Sequence, residues 1–453
     1  MLTYELNKKP GLPLYEDLYR RLREDILAGK LAPGEKLPSK RALAENLKVS
    51  KTTVEAAYLQ LTAEGFLRSR EKVGYFVESL QRPAPVPPPT EASAAQEPKP
   101  ALDLTGGGSG HFPFSAWRRL QREVILDYGE KLLLPLPNRG ILELRQAIAA
   151  HLAAFRGMTV DPETVLVGAG TDFLCNLLVQ LLGRDRRYAV EEPGYGKIRK
   201  IYTAAGADCM EATMDSRGVC PESLAGAGVL HISPSHHFPT GIVTTMDRRQ
   251  ALLHWAESAD AWIIEDDYDS EFRFRSRPLP AMRSMDPSRV IYMNTFSKSL
   301  APSIRISYLV LPPRLMASFR ERLGFYSCTV PSFEQYTLAR FLAGGYFEKH
   351  INRMRKFYVD RRNRLISLLQ SCPSLTILER DAGLHFLLRV DTRLTDRALE
   401  ERLTAAGIRV RTLSSFYHAG TENLHTLVVH YSGAEDAALP LLLTALTQVT
   451  EFP

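Results

Sequence analysis

The chain has 453 residues, of which 45% are hydrophobic and 24% charged, and its net charge is +6. This composition is typical of a water-soluble globular protein with two or three folding units, and it excludes a disordered tail, a fibre and a small disulfide-stabilised domain. Residues 1–82 hold 15 Lys and Arg against 11 Asp and Glu, so +4 of the net charge of +6 lies in the first fifth of the chain.

No basic-then-apolar leader is visible at the N-terminus, and no apolar run is long enough to cross a bilayer. The five cysteines form no Cys-x-x-Cys pair, so we expect neither a disulfide framework nor a metal site. These features favour a cytoplasmic protein without a membrane partner.

Residues 1–80 predict three helices followed by a two-stranded hairpin. The first helix has apolar residues at every fourth position and stops at Gly29; they are Leu14, Leu18, Leu22 and Ile26. Ser39 and Ser50 are suited to cap the second and third helices, and Gly65 ends the third. Two apolar pieces, 66–67 and 75–77, flank a charged tip and predict the strands of a wing. This order indicates a winged helix-turn-helix.

The third predicted helix leaves Lys51, Thr52 and Thr53 in its first turn, off the apolar face, where they can reach phosphates and base edges in a major groove. We expect the sequence-independent phosphate contacts from basic residues nearby, and the two capping serines complete the predicted DNA-binding set: Ser39, Lys40, Arg41, Ser50, Arg68, Arg70 and Lys72. The pattern alone also fits a small helical dimerisation or regulatory module whose charges face solvent.

Three segments of this region carry a family resemblance: 37–44 (LPSKRALA), 49–54 (VSKTTV) and 74–77 (GYFV). Over roughly residues 10–78 the chain closely resembles the winged helix of GntR-type regulators. The resemblance implies binding to double-stranded promoter DNA at paired half-sites, with either repression or activation as the outcome.

A proline-rich stretch interrupts the chain after this region. Seven prolines between Pro83 and Pro100 alternate with Ala, Ser, Thr and Glu, which disfavours helix and strand and gives an extended spacer. We therefore predict a DNA-binding domain over 1–80, a linker over 81–100 and a second domain over 101–453.

Beyond the linker, apolar β-rich runs alternate with helical segments; the runs are 165–167, 188–190, 229–232, 262–264, 290–292 and 308–311. Such alternation predicts an α/β domain with a mainly parallel central sheet. Polar clusters follow four of these runs, and ligands bind beyond the carboxyl ends of strands in such sheets. We therefore expect the ligand-binding site at the carboxyl ends of these strands.

The polar clusters offer the groups that pyridoxal 5′-phosphate requires of a protein. Lys298 follows a predicted strand, between hydroxyl side chains, and could take the aldehyde. Asp266 ends the run 262–264 and could pair with the pyridine nitrogen, although Glu265 and Asp267 compete for that role. Tyr268, two residues after Asp266, could approach the ring hydroxyl. Taken singly, each has a plainer explanation as a loop, cap or core residue.

Two further segments could hold the phosphate and the ring. The turn 168–172 precedes a helix, so the amides around Thr171 and Asp172 can cradle a phosphate. Tyr195, after a Pro-Gly pair, could lie over the ring, although such an aromatic is often only a packing residue.

In this order, the segments resemble fold-type I aminotransferases, and with the GntR-like front the chain resembles the MocR-type regulators over nearly its whole length. The phrase 263–272 (IIEDDYDSEF) and the block around Lys298 are the most specific matches. The resemblance implies that Lys298 binds the cofactor covalently, with Asp266 on the ring nitrogen and Tyr268 on the ring hydroxyl. It also implies a head-to-tail homodimer. The remaining implied contacts are Tyr195 stacking on the ring and Thr171, Asp172, Thr295, Ser297 and Arg305 around the phosphate.

Two departures weaken a catalytic interpretation. Where working aminotransferases carry Asn-Pro-x-Gly, this chain has Phe238 in place of the asparagine. Val428 stands where an arginine would bind the substrate carboxylate, which removes a bidentate anchor unless Arg409 or Arg411 replaces it.

The sequence therefore predicts a transcription regulator that senses pyridoxal 5′-phosphate, or its adduct with a small amine or amino acid, and that controls vitamin B6 or amino-compound genes. We expect that the protein does not catalyse full transamination. The alternative is an active aminotransferase with an attached DNA-binding domain. A GntR-type regulator with an all-helical acid-binding domain is disfavoured by the β-rich runs.

Overall fold

The computed structural model divides the chain into two units, residues 1–97 and 98–453. It describes residues 2–4, 6, 13–79, 100–106, 111–272, 279–378, 383–433 and 438–450. The predicted linker over 81–100 lies outside the described residues except for Pro100.

The first unit is a winged helix, as predicted. Its elements are α1 Leu14–Leu27, α2 Lys40–Leu47, α3 Lys51–Ala63, β1 Leu67–Arg70 and β2 Gly74–Val77. Ser39 caps α2 by accepting from the amide of Ala42 at 3.2 Å, and Ser50 caps α3 by accepting from the amide of Thr53 at 3.1 Å. The two strands pair antiparallel around the wing tip.

A single apolar core holds the first unit together. The helices bury the residues that were predicted to face inward, among them Leu18, Leu22, Val54 and Leu61. Tyr58 is also buried, and its hydroxyl donates to the carbonyl of Pro38 at 3.0 Å, which ties α3 to the turn before α2.

The second unit contains twelve α-helices and fourteen strands among its described residues. The helices are α4 Phe114–Tyr128, α5 Leu142–Arg156, α6 Thr171–Leu182, α7 Gly196–Ala204, α8 Met246–Ser258, α9 Met282–Met285, α10 Phe296–Ser299, α11 Pro313–Arg322, α12 Ser332–Ala343, α13 Tyr346–Leu369, α14 Asp396–Ala405 and α15 Leu439–Thr450. The strands are β3 Leu102–Asp103, β4 Val165–Gly168, β5 Tyr188–Glu192, β6 Cys209–Asp215, β7 Gly218–Val219, β8 Val229–Ile232, β9 Trp262–Asp266, β10 Val290–Thr295, β11 Ser307–Val310, β12 Leu375–Leu378, β13 His385–Val390, β14 Ile408–Arg409, β15 Arg411–Thr412 and β16 Thr426–His430.

Eight strands form the central sheet in the order β4-β11-β10-β9-β8-β5-β6-β7. The pairs β10–β9, β9–β8, β8–β5 and β5–β6 are parallel, whereas β11 runs antiparallel to both of its neighbours. The prediction of a mainly parallel sheet is confirmed. Because β4 and β10 both oppose β11, the carboxyl ends of β4, β5, β8, β9 and β10 meet at one edge.

Helices cover both faces of this sheet. Along β10, Tyr292 packs into one apolar layer, while Ile291 and Met293 pack into the other, because successive strand residues point to opposite faces. None of the helices formed by the described residues is long and apolar enough to cross a membrane.

A smaller antiparallel sheet, in the order β12-β13-β16-β15, forms the C-terminal part of the unit. In its centre His385 of β13 lies opposite His430 of β16. The strand β3 pairs with β14, so the first residues of the unit are joined to its last part.

The core of the first unit gives a stability prediction. Leu61→Ala removes a side chain with no exposed surface, and such truncations cost about 2–5 kcal/mol. Leu59→Ala, in the same helix, removes a side chain that is 57% exposed and should cost under about 1 kcal/mol. Calorimetry of the full chain should show the first-unit transition at a lower temperature in Leu61→Ala only. Equal shifts in both variants would contradict this core.

Candidate functional site

One cavity of about 1010 Å³ lies at the edge where the parallel strands end. Its walls include the carboxyl ends of β5, β8, β9 and β10 and the start of α6. All nine predicted cofactor residues line it: Thr171, Asp172, Tyr195, Asp266, Tyr268, Thr295, Ser297, Lys298 and Arg305. The structure therefore brings together residues that are up to 134 positions apart, counted from Thr171 to Arg305.

Lys298 lies in α10, the short helix that directly follows β10. Its side chain is open to the cavity, yet the surrounding protein lowers the pKa of the amine, while the Asp269 carboxylate acts in the opposite direction. A lower pKa makes the neutral amine, which is the nucleophile, more accessible near neutral pH.

The three acids at the end of β9 are separated by strand alternation. Glu265 accepts two backbone hydrogen bonds of 2.9 Å from the start of α9. Asp267 pairs with the Arg156 guanidinium at 3.0 Å and accepts from the Tyr292 hydroxyl at 2.7 Å. Asp266 points the other way and lines the cavity. Of the three competing acids, the geometry leaves Asp266 for a ligand.

In the part of the chain that the structure describes, the Asp266 carboxylate has a neighbour on one of its two oxygens. His231 places Nε2 3.5 Å from Oδ2, and the Tyr202 hydroxyl lies 2.6 Å from the other nitrogen of this imidazole. The buried Oδ1 has no hydrogen-bond partner among the described residues. An unpaired buried carboxylate oxygen is costly, and a protonated ring nitrogen would satisfy it.

The glycine-rich turn before α6 lies against Arg305. Gly170 has φ +89°, and a Cβ there would collide with the Arg305 guanidinium. That guanidinium lies 3.3 Å from the Ala169 carbonyl and 3.4 Å from the Asp172 carboxylate, which also pairs with Lys197 at 2.7 Å. The Asp172 side chain therefore positions two cations, and its backbone amide is the part suited to a phosphate.

The two hydroxyl side chains near Lys298, those of Thr295 and Ser297, differ in their hydrogen bonds. Thr295 Oγ1 accepts from the amide of Ser297 at 3.1 Å and from the hydroxyl of Ser307 at 2.8 Å, so it is occupied within the turn. Ser297 Oγ is buried and has no hydrogen-bond partner among the described residues. Ser297 is therefore the better donor to a phosphate oxygen.

Aromatic side chains form the side of the cavity. Tyr195 is 53% exposed at the mouth, and its ring stands nearly perpendicular to that of Phe238, 5.9 Å away. Phe238 in turn contacts Phe416 at 5.1 Å. The Tyr268 hydroxyl lies 3.3 Å from Nδ1 of His236. The wall thus offers flat surfaces, with one hydroxyl near an imidazole.

The two arginines considered as replacements for a carboxylate anchor lie elsewhere. Arg409 is 3.7 Å from the Asp103 carboxylate, and Arg411 is 3.5 Å from that of Glu400. Val428 is buried in β16, directly opposite Arg411. Neither arginine lines the cavity as its described residues define it.

In the first unit, the predicted base-reading residues occupy the first turn of α3, where Lys51 and Thr52 are exposed and Thr53 is half-buried. Lys40 is less accessible, because its amine pairs with Glu55 and lies 5.6 Å from the centre of the Tyr75 ring. The hydroxyls of Ser39 and Ser50 are taken by their capping bonds.

The basic residues of the wing surround its tip. Arg68 pairs with Glu78 at 3.1 Å, Arg70 lies over the Phe76 ring at 5.1 Å, and Lys72 is exposed at φ +58°. On α2, Arg41 pairs with Glu45 at 3.0 Å. Exposed pairs of this kind are weak, so these arginines can exchange a carboxylate for a phosphate at little cost.

Comparison with known proteins gives two family matches. Residues 14–77 match the bacterial regulatory proteins of the gntR family, and residues 104–428 match aminotransferase class I and II. The chain is 38% identical to an uncharacterized HTH-type transcriptional regulator, YdeL, of Bacillus subtilis, with 92% of each chain covered. It is 34% identical to the probable rhizopine catabolism regulatory protein MocR of Rhizobium meliloti, over 91% of this chain and 89% of the relative. The chain is a MocR-type member of the GntR family of transcription regulators.

A third relative and one solved structure bear on the second unit of this MocR-type regulator. The pyridoxine biosynthesis transcriptional regulator PdxR of Corynebacterium glutamicum is 32% identical over 100% of this chain and 99% of the relative. The kynurenine aminotransferase of Pyrococcus horikoshii matches with a TM-score of 0.68 at 23% identity, over 79% of this chain and 93% of that one. The second unit therefore has the fold-type I aminotransferase fold.

Sequence reasoning missed the second layer of this site in the MocR-type chain. His231 and Tyr202 support Asp266, and His236 lies beside Tyr268, yet no local pattern distinguishes these residues from core polar residues. A histidine within the apolar run 229–232 is a weak signal, because a buried polar side chain needs a partner.

The assignment of the acids predicts a difference in stability between two isosteric variants. Asp267→Asn leaves the Arg156 guanidinium buried without its carboxylate and should lower the free energy of unfolding by about 3–5 kcal/mol. Asp266→Asn changes a group at the cavity wall and should cost under about 1 kcal/mol. Urea unfolding of the cofactor-free protein measures both. Similar losses would mean that Asp266 is also structural.

Proposed function

We propose that this regulator binds promoter DNA through the first unit and pyridoxal 5′-phosphate on Lys298 in the second, and that cofactor occupancy changes promoter binding. The observation that carries the proposal is the cavity itself. In a chain with a GntR winged helix, one cavity is lined by a lysine amine, a carboxylate oxygen and a hydroxyl, and the last two have no hydrogen-bond partner among the described residues.

The residues present fit this cofactor. When bound, pyridoxal 5′-phosphate supplies an aldehyde that condenses with the Lys298 amine with loss of water. Asp266 Oδ1 would accept from the protonated ring nitrogen, and Tyr268 would donate to the ring hydroxyl; burial raises the pKa of Tyr268 well above its usual range, so it keeps its proton. Ser297, Arg305 and the amides at the start of α6 would hold the phosphate, and Tyr195 would cover the ring.

On the DNA side, we assign base contacts to the first turn of α3 and phosphate contacts to Arg41, Arg68, Arg70 and Lys72. Lys40 and the capping serines Ser39 and Ser50 would contribute mainly by fixing the helices, since their polar groups already have partners. Such a division between positioning and reading is general in protein–DNA interfaces.

A head-to-tail homodimer is part of the proposal. The second unit exposes large apolar side chains within one stretch of chain, where Phe114 is 75%, Leu126 71% and Leu133 76% exposed. Exposed apolar groups in this number favour a partner surface, and a second copy would also supply the second winged helix for a paired half-site. A change in the dimer on cofactor binding would alter the spacing of the two winged helices.

Sensing is favoured over turnover because Val428 stands where a carboxylate-binding arginine is expected, and neither Arg409 nor Arg411 lines the cavity as the described residues define it. One relative is named for control of pyridoxine biosynthesis. This supports pyridoxal 5′-phosphate in the cytoplasm as the signal that the regulator senses and vitamin B6 genes as the genes that it controls. An adduct of the cofactor with a small amine is the other effector compatible with the cavity volume.

Lys298→Ala tests the coupling. Full-length protein should acquire an absorbance band for the covalently bound cofactor, and its affinity for an operator selected from random DNA should change by about tenfold on loading. Lys298→Ala should lose both effects, whereas Lys200→Ala, at the mouth of the same cavity, should keep both. Equal operator affinity with and without cofactor in the parent protein would refute the proposal. Sustained transamination that Lys298→Ala abolishes would establish the enzyme alternative instead.

Lys51→Ala tests the DNA surface. If the exposed Lys51 ammonium neutralises one phosphate, its loss should weaken operator binding several-fold and reduce the slope of log affinity against log salt by about 0.9. Lys30→Ala, which removes an exposed lysine paired with Asp25 outside the predicted surface, is the matched control. Fluorescence anisotropy over a range of salt concentrations gives both slopes. Identical slopes for the two variants would remove α3 from the interface.

A further inference from the structure

A buried imidazole–carboxylate pair lies beside Tyr268. The Nδ1 atom of His236 is 2.7 Å from Oδ2 of Asp269, and both side chains are almost completely buried. The same nitrogen is 3.3 Å from the Tyr268 hydroxyl. His236 therefore joins Asp269 to the one hydroxyl proposed to face the ring hydroxyl of the cofactor.

The proton positions follow from the partners. An ionised carboxylate only accepts, so the hydrogen bond to Asp269 requires that Nδ1 of His236 carry a proton. A protonated Nδ1 cannot accept from Tyr268, whose own proton is therefore left for an acceptor in the cavity. The fixed imidazole thus determines the direction in which Tyr268 donates.

The fold holds this imidazole in one place. Gly383 has φ +65°, and a Cβ there would overlap the His236 ring and crowd the Asp269 carboxylate. On another side the ring of His385 lies 4.8 Å from that of His236, centroid to centroid, and His430 lies 5.0 Å beyond. The pair is enclosed by the β9 end, β13 and β16.

Charge links the pair to Lys298. The Asp269 carboxylate favours the protonated amine of Lys298 and opposes the effect of burial. Burial keeps the histidines and tyrosines around the pair neutral near pH 7: it lowers the pKa of His430 and of His237 to about 3 and that of His385 well below its usual range, and it raises the pKa of Tyr268 and of Tyr431. Among the described residues, the Asp269 carboxylate acts on the Lys298 amine, while Asp266, Asp267 and Glu191 also act on Tyr268.

We propose that the His236–Asp269 pair takes over the task of the asparagine that Phe238 replaces. His236 orients the Tyr268 hydroxyl toward the ring hydroxyl of the cofactor. Asp269 favours protonation of the nitrogen atom through which Lys298 is bonded to the cofactor. Both are positioning residues, and the inference rests on cofactor binding at Lys298 as proposed above.

The test is a pH titration of the cofactor absorbance in the full-length loaded protein, since this absorbance reports protonation of the nitrogen bonded to Lys298. Asp269→Asn removes a negative charge that stabilises the protonated form, so its midpoint should fall by about one pH unit. His236→Leu should also shift the midpoint, and His236→Gln, which keeps a donor, should restore much of it. His418→Gln, an exposed imidazole at the mouth of the same cavity, should leave it unchanged.

A second measurement distinguishes the proposed contact between His236 and Tyr268 from a general loss of folding in the buried variants. Tyr268→Phe removes only the hydroxyl, and His236→Leu should add almost no further shift in that background, because the two residues act through one contact. Additive shifts would overturn the role of His236, and an unmoved midpoint in Asp269→Asn would overturn that of Asp269. If the parent protein formed no covalent band, the proposed function would fail as well, so the two failures are distinguishable.

Discussion

The end of β9 carries three consecutive acids, and the site depends on giving each a different environment. Strand alternation sends Glu265 and Asp267 to the side where backbone amides, Arg156 and Tyr292 compensate their charge. Asp266, between them, reaches the cavity with one oxygen unpaired. An unpaired oxygen on a largely buried carboxylate is costly, and a ligand that donates to Oδ1 would remove this cost.

Tyr202 and His231 prepare Asp266 for that donor. The Tyr202 hydroxyl lies 2.6 Å from Nδ1 of His231, and the other nitrogen of this imidazole lies 3.5 Å from Oδ2 of Asp266. Burial raises the pKa of Tyr202 well above its usual range, so this hydroxyl keeps its proton. The carboxylate is stabilised on Oδ2 and stays available on Oδ1. A binding site of this kind is largely formed before the ligand arrives, and binding energy can then be used to favour one state of the protein over another.

The residues that line the cavity could be picked out from the sequence, because they follow from local rules. Ser39 and Ser50 mark helix starts, and the residues around Lys298 directly follow a strand. The partners of these residues could not be predicted, since His236 and Asp269 are 33 positions apart and meet only when the ends of β8 and β9 are side by side. The roles of Asp172 and Thr295 also depend on contacts with Lys197 and Ser307 that only the fold creates.

The distribution of cations in the cavity bears on which ligand it serves. Arg305 lies against the turn before α6, and the Ser297 hydroxyl has no hydrogen-bond partner among the described residues, so we assign these groups and the amides of α6 to the phosphate. Arg409 and Arg411 pair with Asp103 and Glu400 and do not line the cavity as the described residues define it. A substrate carboxylate would lack these two guanidinium groups as a bidentate partner, whereas the phosphate of the proposed cofactor would meet donors already in place. These contacts support the proposal that the second unit recognises the cofactor itself.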